Sequence, residues 1–126
     1  MIERYAREQM TKIWSEANRF KLMLQIEETF LETLAADKEI PASEIRLLKS
    51  LLHRPLSDKA KGQESKSGHE VIGLLSAVAH ELEAKAPHLG RYLHYGLTSS
   101  DALDTALAMQ LRDSADLLRE DWQRVA

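Results

Sequence analysis

Cysteine is absent from all 126 residues, which removes disulfides, thiolate metal sites and a cysteine nucleophile at once. Glycine and proline are scarce, at five and three, so few positions can break a helix. No sustained alternation of apolar and polar residues marks a strand. Basic charge is not in excess: 17 Lys and Arg stand against 20 Asp and Glu, a net charge of −3. That balance offers no electrostatic attraction to nucleic acid or to an anionic membrane, both of which reward clustered cations. Long apolar runs are missing too. The longest mostly apolar stretch, Val71 to Ala79, has nine residues, whereas a spanning helix needs roughly 20. The opening Met1-Ile2-Glu3-Arg4-Tyr5 lacks the basic-then-apolar order of a secretory signal. The expectation is a cytoplasmic, soluble chain that partners neither nucleic acid nor membrane.

What is present is helical spacing. The 44% apolar and 29% charged fractions are ordinary for a globular protein with one modest core. Met10, Ile13 and Trp14 form an i, i+3, i+4 set, and Met23, Ile26, Phe30, Leu31 and Leu34 continue an apolar face. Residues 7 to 36 therefore form either one long helix or a short one followed by a longer one, with Ser15 and Asn18 as candidate break or cap. Residues 37 to 41 read as a turn, since Pro41 biases Ile40 away from helical geometry. A short helix with Ile45, Leu48, Leu51 and Leu52 follows, with Ser43 as its candidate cap and Pro55 beyond its end. Residues 56 to 68 are the most polar stretch and read as an exposed loop. Val71, Leu74, Leu75, Val78 and Leu82 make a clear 3.6-residue stripe, and residues 87 to 96 read as a connector. Ser99-Ser100-Asp101 opens a last helix carrying Leu103, Leu107, Leu111, Leu118, Trp122 and Val125. Neither Gly, Pro nor a C-cap closes that pattern before Ala126, which points to a truncated chain. The fold class expected is all-α.

Five histidines invite a metal or catalytic reading. His53, beside Arg54 at a helix end, reads as a surface residue favoured by the helix dipole. His80 is not part of a His-Glu-x-x-His zinc pair, because Ala84 stands where the second histidine would be. His88 has no partner at ligand spacing. His69 differs: it follows the polar loop and opens an apolar helix, where free backbone amides attract anions and an imidazole can exchange a proton. A histidine near a helix start with no role remains the plainer alternative.

The densest chemistry lies in Arg91-Tyr92-Leu93-His94-Tyr95-Gly96-Leu97-Thr98-Ser99-Ser100-Asp101. A cation, two phenols, an imidazole and three hydroxyls converge on a helix N-terminus, with a glycine that permits close backbone approach. Those groups suit an anion, and they equally suit a well-capped helix. Arg4 with Tyr5 forms a third candidate, since an arginine fork matches phosphate, although exposed arginines are common.

These same residues resemble a known family. Met1 to Tyr5 with Met10 and Trp14, the helix start His69-Glu70-Val71-Ile72, and His94-Tyr95-Gly96-Leu97-Thr98-Ser99-Ser100-Asp101 with Asp104-Thr105-Ala106-Leu107 look like adenylosuccinate lyase, in order and at the expected separations. The His-Tyr-Gly-Leu-Thr-Ser-Ser-Asp string is the specific part, and the likeness runs along the whole chain. The resemblance implies a fumarase/aspartase-superfamily enzyme, a homotetramer around a bundle of long helices. Such a lyase eliminates fumarate from adenylosuccinate, giving AMP, and from the succinylated aminoimidazole carboxamide ribotide (SAICAR), giving AICAR, in purine biosynthesis, with no cofactor and no metal.

Carried over, the resemblance gives Arg4 and Tyr5 the nucleotide phosphate, and Thr98 and Ser99 the succinyl carboxylate. His69 would contact substrate and assist proton transfer, and His94 would support the pocket. It divides the chain into an N-terminal helical domain, 1–95, and the start of the central bundle, 96–126. The family usually has Thr, then Arg or His, then His-Asp, where this chain has Ser67-Gly68-His69-Glu70, so the substrate contacts of Gly68 and Glu70 depart from the pattern. The family's second catalytic histidine and its serine-bearing loop lie far downstream of anything here. The isolated chain is therefore expected to be inactive and to self-associate through the apolar stripe of its last helix. Two other readings compete: another superfamily member, such as an argininosuccinate lyase or a carboxymuconate cycloisomerase, and a non-catalytic helical interaction module.

Overall fold

The structure, a computed structural model, describes residues 6–36, 40–52, 69–83 and 86–125, leaving aside the side chain of Leu51. The described residues form five α-helices: α1 (Glu8–Ile13), α2 (Glu16–Ala36), α3 (Ala42–Leu52), α4 (Glu70–Glu83) and α5 (Ser99–Val125), with a 3₁₀ helix at Pro87–Tyr92. The described residues hold no strand, so the all-α expectation stands. None of their helices is long and apolar enough to cross a membrane. The polar loop at 56–68, His53 and Pro55 lie outside the described residues, as do Arg4, Tyr5 and Gly68.

The choice between one helix and two over residues 7 to 36 is settled by side-chain capping. Ser15 Oγ accepts the Asn18 backbone N–H at 3.1 Å, the N-cap bond that satisfies an orphan donor of α2. Asn18 Nδ2 reaches back to the Ile13 carbonyl at 2.9 Å and closes the end of α1. Ser43 proves not to be the cap of α3. That helix begins at Ala42, and the Pro41 carbonyl accepts the N–H groups of Glu44 and Ile45 at 2.9 and 3.3 Å. Ser43 thus sits within the first turn, one place beyond the start, because proline fixes the backbone angle that opens the helix.

The spine is α2, with α3 packed along it and α5 laid against both α2 and α1. Phe20, Met23, Leu24, Leu31 and Leu34 of α2 join Leu48 and Leu52 of α3 and Val71, Leu74, Val78 and Leu82 of α4 in one core. Each fully buried Leu or Val contributes on the order of 1.5–3 kcal/mol relative to exposure. The connector after residue 86 is more ordered than its composition suggests. Its 3₁₀ turn buries Leu89 completely, and Ala86 before it is 2% exposed. Pinning this connector to α4 fixes where the following turn, 93–96, can start.

Candidate functional site

Two helix starts carry the residues singled out from the sequence. At the first, His69 stands one position before α4, and its carbonyl accepts the Gly73 N–H at 2.9 Å. Glu70 follows in the first turn, where a carboxylate complements the positive end of the helix. Its Oε1 lies 2.6 Å from Arg19 Nη2 on α2, so the extra methylene of Glu over Asp is used to reach a cation on the neighbouring helix.

At the second, α5 is opened by a reciprocal cap. The Thr98 N–H donates to Asp101 Oδ2 at 2.7 Å, and Thr98 Oγ1 accepts the Asp101 N–H at 3.4 Å. Thr98 is exposed and Ser99 half-buried. The Thr98 hydroxyl therefore already serves as a cap, while the Asp101 carboxylate shields part of the same amide cluster. The Ser99 side chain makes no hydrogen bond among the described residues, which leaves its hydroxyl available to an incoming acceptor.

Between the two starts, the turn before Thr98 is held in an uncommon conformation. His94 has φ +57, the single positive value for a non-glycine residue among the described residues, and Gly96 has φ +78. A left-handed L-residue costs roughly 1–2 kcal/mol, so something must hold His94 there. Glu27 of α2 does so. Its Oε2 accepts the His94 backbone N–H at 3.0 Å and its Oε1 lies 2.5 Å from His94 Nδ1. Gly96 is set by its backbone angle, and a Cβ there would meet the Phe30 ring at 3.7 Å.

Glu27 is what sequence reasoning missed. The signal was a carboxylate at a core position of the Phe20–Met23–Leu24–Leu31–Leu34 stripe, where it is only 2% exposed. A charge so placed requires a partner, and the partner lay 67 residues away.

Arg19 and Glu27 lie on one helix eight residues apart, or about 12 Å along its axis. Both helix starts are thus hung from α2, roughly two turns from one another. The cavities lined by described residues include two of note. One, about 350 Å³, lies between Trp14, Glu16 and Arg19 and the Leu103, Asp104, Leu107 and Gln110 side of α5. The other, of similar volume, is bounded by Leu34, Ile40, Arg91, Tyr92 and Tyr95. Neither of these two is lined by His69, His94, Thr98 or Ser99. Arg91 is engaged locally, 4.8 Å over the Tyr92 ring with Nη2 3.0 Å from its hydroxyl.

The remaining described histidines each lie near a carboxylate. His80 is exposed and lies 3.6 Å from Glu83, and His88 lies 3.6 Å from Glu44. No group of three or more His, Asp or Glu able to hold a metal ion forms among the described residues.

Among the described residues every regular element is helical, with a histidine at one helix start and a histidine–hydroxyl run at another. No family model matches the chain. It is similar to adenylosuccinate lyases along nearly its whole length. It is 35% identical over 127 aligned residues to the adenylosuccinate lyase of Aquifex aeolicus, covering 99% of this chain. It is 32% identical to those of Staphylococcus saprophyticus and Bacillus subtilis, covering 98% of this chain in each case. The chain spans 28% of the length of each of these relatives. The resemblance read from its motifs is therefore shown, as a likeness to a section of much longer proteins.

Proposed function

We propose that this chain is a section of an adenylosuccinate lyase, a C–N lyase that releases fumarate from adenylosuccinate to give AMP and from SAICAR to give AICAR. The observation that carries the reading is the 35% identity over 99% of the chain, taken with a helix start whose hydroxyls and amides suit a carboxylate.

In such an elimination a base removes a proton from the carbon beside a succinyl carboxylate, the C–N bond breaks, and the departing nitrogen receives a proton. Charge builds on the carboxylate as the proton leaves, and fixed donors aimed at it lower the barrier. The Ser99 hydroxyl and the amides at the start of α5 would supply those donors, together with Thr98. Arg4 and Tyr5 would hold the phosphate, with His69 contacting substrate and assisting proton movement. Gly68 and Glu70 flank that histidine. Both would contact substrate beside it, and the ion pair of Glu70 with Arg19 (2.6 Å) supports a further role in setting the α4 start. His94 would support the pocket from the turn ahead of Thr98.

We place the division between the first helical domain and the central bundle at residues 95 and 96, and the protein in the cytoplasm as a homotetramer. Support for assembly comes from α5, where Leu107, Leu111, Leu118, Trp122 and Val125 are all exposed, the last at 85%. An apolar stripe of that length is characteristic of an interface. With 28% of the relatives' length present, the 126-residue chain would not turn over substrate.

The test is adenylosuccinate cleavage followed by ultraviolet absorbance, for the complete protein beside the 126-residue chain. Activity in the complete protein alone is the expected result. A folded complete protein that cleaves a different succinyl compound instead would move the assignment to another lyase of the superfamily, and turnover by the short chain would overturn the placement of the catalytic groups.

A further inference from the structure

Glu27 is 2% exposed and both of its carboxylate oxygens are spent on one residue. Such a double engagement does more than neutralise a buried charge. A carboxylate oxygen accepts only, so the backbone N–H of His94 and the ring Nδ1 must both bring hydrogens. The first is always present. The second requires Nδ1 to be protonated, which in the neutral ring leaves Nε2 as the free acceptor. The His94 side chain is 20% exposed, and Nε2 makes no hydrogen bond among the described residues. The left-handed φ of +57 fits the same arrangement, because it turns the backbone N–H and the ring of one residue toward a single carboxylate.

We infer that Glu27 is a positioning residue. It locks His94 in the left-handed conformation and in the Nδ1–H tautomer, so that Nε2 is presented as a hydrogen-bond acceptor ahead of the Thr98–Ser99 helix start. This rests on the lyase reading only for its consequence in turnover. The geometry itself rests on the two bonds from Glu27. The ligand class that a neutral Nε2 acceptor selects is a donor, such as a ribose hydroxyl, an amine or an ordered water, rather than a carboxylate.

The substitution that separates these roles is Glu27→Gln. Its carboxamide oxygen can still accept the backbone N–H, but the amide nitrogen then faces Nδ1 and donates to it. The ring must give up its Nδ1 proton and take the Nε2–H tautomer. Histidine-labelled nitrogen–proton correlation spectra of the 126-residue chain, at a pH where the ring is neutral, read this directly. The expected result is Nδ1–H for His94 in the parent chain and Nε2–H in Glu27→Gln, with Glu27→Asp giving a mixture. A parent chain with Nε2–H would overturn the proposal without any variant, and so would a tautomer unmoved in a folded Glu27→Gln.

In the complete protein, once adenylosuccinate cleavage by the parent is established, Glu27→Gln should lower kcat at least about tenfold with little change in KM. Glu27→Asp should recover part of that loss. A flipped tautomer with unaltered kcat would remove the positioning role in the reaction. An inactive parent would instead break the lyase reading and leave the tautomer result standing.

Discussion

The two long faces of α5 are built from opposite materials. Its buried face is Ala102, Ala106, Gln110, Ser114 and Leu117, small or polar except at the end. Its exposed face carries Leu107, Leu111, Leu118 and Trp122, with Trp122 75% exposed. Most of the large apolar groups of α5 thus stand outside, with Leu117 buried and Leu103 and Met109 partly buried against the core. Ala102 and Ala106 leave room for the larger side chains of α2, such as Phe20, Met23 and Leu31, in the same core. Gln110 and Ser114 are tolerated inside because both are bonded. Gln110 Nε2 donates to the Ile13 carbonyl at 2.7 Å, and Ser114 Oγ donates to the Gln110 carbonyl at 2.8 Å. The lesson is that the strongest apolar periodicity in a helix need not mark the face it packs on within its own chain.

The most direct way to break this contrast is Ala106→Leu. Ala106 is fully buried, and added methylenes in a close-packed interface force neighbours off their rotamers. A loss of about 1–3 kcal/mol is expected, read from the urea midpoint of the 126-residue chain at constant m-value. A neutral result would show that α5 stands off from α2 and that its inner face is not tightly packed.

A smaller effect belongs to a change that touches neither face. Thr98→Ala removes the acceptor for the Asp101 N–H and leaves the Asp101 carboxylate bond to the residue 98 N–H in place. The cap loss should be about 1 kcal/mol or less. In the complete protein the same change should cost far more in turnover than in stability if Thr98 also meets a carboxylate. Equal small effects on both would reduce Thr98 to a helix cap.

Much of this was legible in the sequence, and for identifiable reasons. Local signals carried well: Ser15 and Asn18 marked the break between α1 and α2, and the Val71–Leu82 stripe marked α4, because capping and periodicity act within a few residues. The start of α5 was legible to within its cap, since Asp101 three residues after Thr98 is a short-range device. The all-α class followed from the sum of such signals. What stayed hidden depends on separation. The pairing of Glu27 with His94, and of Glu70 with Arg19, joins residues that only the fold brings together. The positive φ of His94 had only a weak local marker, because histidine is enriched among left-handed residues but adopts that conformation rarely. Ser43 misled for a related reason: a serine is a common N-cap, but Pro41 had already fixed the helix start two places earlier than a Ser43 cap would.

The outer face of α5 yields the smallest change in stability and the clearest change in behaviour. Leu118 and Trp122 are one helical turn apart, at 59% and 75% exposure, and neither joins the core. Replacing both with glutamine removes little buried area from a single chain, so its unfolding free energy should move by no more than about 0.5 kcal/mol. Association is a different quantity, because it depends on the contiguous apolar stripe that the two residues extend toward Val125. Light scattering across a concentration series should show the parent chain forming assemblies and the double variant shifting toward monomer. Were the variant instead to lose more stability than Ala106→Leu, the stripe would have to lie against the rest of its own chain in solution. The contrast between the two faces of α5 would then be reversed.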